Sequence, residues 1–159
     1  MSVNFSDLTV FDTVTPANSG AWLTLLDGQE NPTNKQIKLL GANSEAWQND
    51  QYTDSEQRRR VLTKTGKPQV LSVKQQEDVI RKRVAKVAVE WRGFNDEQGQ
   101  PVPCTYDNVY AVLSHPKIGP LIFEQALTFI LDPANYGEAG DKLPNPIGIE
   151  ARADEIAGN

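Results

Sequence analysis

The sequence predicts an α+β domain, a small N-terminal β-hairpin packed against three or four α-helices and followed by a flexible C-terminal tail. Three observations carry this expectation. Ala21, Leu23 and Leu25 alternate with Trp22, Thr24 and Leu26, and after a polar loop Ile37 and Leu39 alternate with Gln36 and Lys38, the two-residue period of half-buried strands. Between Glu45 and Leu131 the apolar residues mostly recur at three- and four-residue spacing. Residues 137–159 hold few large apolar side chains and much Gly, Pro and charge, which reads as a flexible tail after a single domain spanning residues 1–136.

Each element has a local reason. Residues 1–20 mix Asp12, Pro16, Asn18 and Gly20 with scattered Phe5, Leu8 and Phe11, an extended leader with turns. Asp27-Gly28 and Pro32 sit in a loop from Asp27 to Asn34 that joins the two strands as a hairpin with a long tip. Ser44 or Asn43 caps a helix beginning at Glu45, with a restart near Thr53-Asp54-Ser55 and an end at Gly66. Ser72 opens the clearest helix, where Val73, Ile80, Val84, Val87 and Trp91 share a face, and Gly93 stops it. Thr105 caps a short helix through Leu113, and Pro120 stands in the first turn of an apolar helix ending at Leu131. Trp22 and Trp91 begin and end apolar runs, so both are expected in the core, with Trp22 anchoring the hairpin to the helices.

Composition narrows the function classes. At 159 residues the chain fits one domain, and no run of about 20 apolar residues suggests a membrane span. The first residues lack the basic start and apolar run of a secretory signal, and a lone cysteine, Cys104, excludes an intrachain disulfide, so a reducing cytoplasm is the expected setting. The net charge of −5 is unevenly placed: residues 1–53 carry 2 basic and 6 acidic side chains, residues 54–92 carry 11 and 5, and residues 93–159 carry 3 and 10. Such a basic middle suits an acidic protein surface, the chain's own acidic ends, or those of another copy.

No catalytic constellation is legible, so no enzyme activity, cofactor or metal is expected. Thr63-Lys64-Thr65-Gly66-Lys67-Pro68 resembles a phosphate loop only in part, because Pro68 stands where Ser or Thr must reach magnesium. Cys104 and His115 could pair as nucleophile and base, yet no orienting partner is apparent and both suit structural roles better. The acidic pairs Asp27 with Glu30, Asp96 with Glu97, and Glu138 with Asp141 fall in polar loops without an enclosed site. Arg58, Arg59, Arg60, Arg81, Arg83 and Lys86 remain as candidate protein-contact residues. Nucleic acid fits them less well, since no aromatic interleaves with the basic groups between Tyr52 and Trp91.

The order of features resembles that of tail assembly chaperones from long-tailed bacteriophages. The residues that carry it are "DTVTPANSGAWLTLLD", "KQIKLLGANSEAW", the Arg-rich helix, "VEWRGF", "PVPCTYDNVYAVL" and "PLIFEQALTFILDPANY", covering residues 11–136. The resemblance implies a non-enzymatic protein of the bacterial host cytoplasm, absent from the mature virion, that binds the tape-measure protein, helps recruit tail-tube subunits and self-associates. Chaperones of this group often have a longer form made by ribosomal frameshifting, and this chain departs from the pattern in the stretch after Tyr136. A virion structural protein, such as a tail-completion or head–tail connector subunit, and a small nucleic-acid-binding regulator are the competing readings.

Overall fold

In the computed structural model, which describes residues 2–4, 6 and 12–137, the chain is α+β. A three-stranded antiparallel sheet in the order β1-β2-β3 packs one face against the helices. The strands are β1 (Ala21–Leu26), β2 (Pro32–Leu39) and β3 (Ala88–Arg92). The helices are α1 (Val14–Ser19), α2 (Glu45–Thr65), α3 (Val73–Val87), α4 (Tyr106–Leu113) and α5 (Gly119–Leu131), and a 3-10 turn spans Pro133–Asn135. Residues 138–159 of the tail expected from Gly137, and residues 1, 5 and 7–11 of the expected leader, lie outside the described residues.

Where the leader was expected to be extended, Val14–Ser19 is helical. Asp12 Oδ1 accepts from the N–H groups of Val14 and Thr15, both at 3.0 Å, and so satisfies donors that a helix start leaves unpaired. Ala17 is buried, and its carbonyl accepts from Gly41 N–H, which ties this turn to the end of β2.

The hairpin forms, with a shorter tip than expected, because Pro32, Thr33 and Asn34 belong to β2 and not to the loop. Asp27 N–H donates to the Asn31 carbonyl, and Asp27 Oδ1 accepts from the N–H groups of Gln29 and Asn31, so one carboxylate organises the turn. Pro32 begins β2, a place where a missing N–H is tolerated. Leu23 pairs with Ile37, and Ile37 with Trp91, which sets these three on one face of the sheet.

Ser44 and Ser72 cap α2 and α3 as their sequence positions predict. Ser44 Oγ accepts from Trp47 N–H, and Ser72 forms a reciprocal capping box with Gln75. α2 does not restart at Thr53-Asp54-Ser55: Thr53 Oγ1 donates to the Asn49 carbonyl, Asp54 pairs with Arg58 one turn later, and the helix continues to Gly66, which is left-handed at φ 73°.

The helix expected from Ser72 to Trp91 instead ends at Val87. Ala88–Arg92 becomes β3 and pairs with the free edge of β2, while Leu40 N–H donates to the Val87 carbonyl at the junction. Gly93 ends a strand rather than a helix. Its φ of 81°, and the Asn34 carbonyl oxygen that would stand 2.3 Å from any added Cβ, leave room only for glycine.

The core gathers Leu25, Ile37, Leu39 and Trp91 of the sheet with Trp47, Val84, Val87, Val109, Leu113, Ile122, Ala126 and Ile130 of the helices. Trp91 meets the expectation: it is buried, stacks on Phe94 at 4.2 Å and donates from Nε1 to the Val102 carbonyl at 2.6 Å. Trp22 does not. Its register opposite Lys38 turns it to the other face of the sheet, where it is half-buried with the Arg92 guanidinium 4.0 Å above its ring. The apolar helix α5 is also less enveloped than expected, with Ile122, Ala126 and Ile130 inside and Leu131 exposed.

Candidate functional site

Most of the basic residues singled out by sequence are spent within the chain. α2 has little apolar surface, and it is held to α3 by charge. Arg83 Nε donates to Asp50 Oδ2 at 2.7 Å, its NH2 group lies 3.7 Å from Asp54, and its guanidinium sits over the Trp47 ring. Only 4% of Arg83 is exposed, which removes it from any contact surface. Lys86 shares the Asp50 carboxylate. Arg81 pairs with Asp78 at 3.2 Å and lies over the Phe123 ring, and Tyr110 Oη donates to the same carboxylate oxygen of Asp78. Arg83 and Lys86 join α3 to α2 through Asp50, Arg81 reaches α5 over Phe123, and Asp78 joins α3 to α4 through Tyr110.

The electrostatics follow from this crowding. Burial raises the Asp50 pKa, but the hydrogen bonds from Lys86 and Arg83, with the attraction of their charges, together outweigh it and hold the carboxyl below its ordinary value. Asp78 is lowered chiefly by the Tyr110 hydrogen bond. Arg58, Arg59 and Arg60 have a different fate: Arg58 and Arg59 make exposed pairs with Asp54 and Glu56, and Arg60 has no ion pair among the described residues. Together with Lys64 and Lys67 they make the far end of α2 basic, and Leu62 is exposed there as well.

The weaker chemical motifs are separated by the fold. Thr63–Gly66 closes the C-terminal end of α2, where exposed carbonyls oppose an anion. Burial, with a contribution from the Glu90 charge, pushes the Cys104 thiol up, and its Sγ faces the Ala88 carbonyl at 3.8 Å. His115 Nδ1 accepts from the N–H groups of Lys117 and Ile118, so this nitrogen serves the turn before α5. Among the described residues no group of three or more His, Cys, Asp or Glu side chains could hold a metal ion, and no helix is long and apolar enough to cross a membrane.

Two surface hollows flank α5. The first is an apolar trough of about 520 Å³ between the end of the sheet and the α4–α5 turn, with Leu25, Trp91, Phe94, Val112, Ile118 and Ile122 among its walls. The second is a cleft of about 470 Å³ between β1 and α5, where Leu23, Leu26, Leu121 and Phe129 form an apolar floor. They meet at Leu26, Asp27 and Leu121. The wall between sheet and helix is held by Gln125, whose side-chain amide both accepts from Leu26 N–H at 2.8 Å and donates to the Leu26 carbonyl at 2.9 Å. A helical side chain thereby covers polar groups at the edge of β1. Gly119, the first residue of α5, packs so closely that an added Cβ would stand 2.4 Å from the Leu113 carbonyl oxygen.

No protein-family model, curated protein or solved structure matches this chain. The arrangement of its own residues is therefore what bears on function. Neither hollow was visible in the sequence as a site. Leu25, Phe94 and Ile118 come from separate segments, and Glu124 and Asp132 join Asp27 and Glu30 only because α5 lies along β1. The one available signal was the apolar excess of α5, more than a single buried face requires.

Proposed function

We propose that this chain is a non-enzymatic tail assembly chaperone of a long-tailed bacteriophage, binding the tape-measure protein in the host cytoplasm, keeping it soluble and helping to recruit tail-tube subunits before the virion is complete. The observation that carries this reading is the apolar trough beside α5, an open surface channel rather than an enclosed pocket. A long amphipathic client helix presents apolar side chains at three- and four-residue spacing, and a channel walled by Phe94, Val112 and Ile118 offers them a place out of water. The motif order over residues 11–136 supports the same reading.

The test is co-expression with the tape-measure protein encoded beside it, followed by pull-down. The wild-type chain should raise the soluble fraction of the client and retain it. Ile118→Glu, at a 47% exposed position in the trough wall, should fold normally and lose retention. A client that stays insoluble beside the wild-type chain would overturn the proposal, and recovery of the chain in purified virions would favour a structural subunit.

A further inference from the structure

The cleft between β1 and α5 has a floor and two walls of different character. Leu121, Gln125 and Phe129 stand about one helical turn apart along α5 and, with Leu23 and Leu26 of β1, make the floor. The Gln125 amide is spent on Leu26 and on the Leu121 carbonyl, so it adds little polar character there. Every charged residue on the walls is acidic: Asp27 and Glu30 on the hairpin side, Glu124 and Asp132 on the α5 side. None of these four carboxylates has an ion pair among the described residues, whereas Asp50, Asp54, Glu56 and Asp78 of the α2–α3 pair are each met by a cation. From Leu121 to Asp132 the cleft follows roughly 16 Å of α5 at 1.5 Å per residue, about three helical turns. Residues 138–159 carry 2 basic and 5 acidic side chains, so their charge does not suit these walls.

We propose that the β1–α5 cleft docks a cationic amphipathic helix of a partner protein, with its apolar stripe on the floor and its lysines and arginines on the two acidic walls. Apolar side chains at three- and four-residue spacing leave water along the floor, and cations on both flanks of that stripe meet carboxylates that no cation of the described residues neutralises. An acidic helix would gain the floor and be repelled by the walls, so the cleft selects by charge. Glu30 and Glu124 line the cleft and not the trough, so this contact is separate from the client contact proposed above and does not depend on it.

The experiment is fluorescence anisotropy of the full chain with two labelled model helices, one of leucine and lysine and one of leucine and glutamate, both with leucine at three- and four-residue spacing. The wild-type chain should bind the lysine helix roughly tenfold more tightly than the glutamate helix, and less tightly in high salt. Glu30→Lys with Glu124→Lys should lose roughly tenfold in affinity for the lysine helix and gain affinity for the glutamate helix. Glu77→Lys with Glu97→Lys changes the net charge equally at residues that do not line the cleft, and it should bind as the wild type does. Ile118→Glu, in the trough, should also leave the lysine helix bound. All five are exposed positions, and the far-ultraviolet spectrum and thermal midpoint check that each variant folds. Equal affinity for the two helices, a cleft variant that binds as the wild type does, or an equal loss from the Glu77 and Glu97 pair would overturn the proposal. Loss of the lysine helix on Ile118→Glu alone would move it to the trough and overturn the proposal as well. A chain that ignores both helices but loses self-association in the cleft variant would give the cleft to a second copy instead.

Discussion

Arg83 and Asp50 are joined at 2.7 Å across the root of the α2–α3 pair, with Trp47 beneath the guanidinium and Lys86 on the other carboxylate oxygen. One acidic side chain thus neutralises a buried cation and an exposed one, and it does so where α2 has only Trp47 to offer the core. The direction of α2 depends on this contact more than on apolar packing.

Asp50→Ala should therefore be costly for a residue near the surface. It leaves Arg83 buried with only the 3.7 Å approach of Asp54. Breaking a buried pair in this way costs about 3–5 kcal/mol. Chemical denaturation should show the loss, while Arg83→Met, which removes the buried charge altogether, should cost less. Equal losses would mean that packing rather than charge holds the helices.

The pH dependence has a defined sign. Asp50 and Asp78 are both lowered in the folded chain, so the stability they contribute is fully present above the pKa of an unfolded aspartate, about 3.9, and disappears as pH falls through their lower folded values. Thermal midpoints should be flat with respect to these groups near neutrality and should drop below about pH 4. Asp50→Asn should flatten part of that acid limb. An unaltered limb in the variant would remove Asp50 from the account.

The two sheet tryptophans should behave differently. Trp91→Ala empties a core position and removes the hydrogen bond to the Val102 carbonyl, at a cost of about 3–5 kcal/mol. Trp22→Ala loses a half-exposed ring and its contact with Arg92, worth about 1 kcal/mol. In single-tryptophan variants, acrylamide should quench Trp22 readily and Trp91 poorly. The reverse order would show that the register of β1 has been misread.

Tyr136 is buried near the end of the described residues. Its ring is buried against Phe129 and Gly41, and its hydroxyl, pushed to a high pKa by burial and by Asp132, has no hydrogen-bond partner among the described residues. Tyr136→Phe should be neutral or stabilising by up to about 1 kcal/mol, whereas Tyr136→Ala should cost about 3 kcal/mol or more. Truncation after Tyr136 should leave the thermal midpoint nearly unchanged, and truncation after Asn135 should lower it. A large loss from the longer truncation product would place part of residues 137–159 in the core.

What the sequence by itself determined was local. Ser44, Ser72 and Thr105 cap helices because a short side-chain oxygen reaches an N–H two or three residues on, and Pro120 lies in the first turn of α5, where its missing N–H costs nothing. The alternation of residues 21–26 declared β1 for the same reason. The tertiary structure decided whatever depended on a distant partner. Val84, Val87 and Trp91 keep helical spacing across Val87, so only the open edge of β2 turns Ala88–Arg92 into a strand. The face of Trp22 follows from its pairing with Lys38, and the burial of Arg83 beside the exposure of Arg59 follows from which side of each helix meets the other. The trough and the cleft are later still in that hierarchy, because their walls come together only when α5 is laid against β1 and Gln125 bonds Leu26. Caps and periods are energies within one turn of chain, and surfaces between elements exist only after packing has chosen which turns meet.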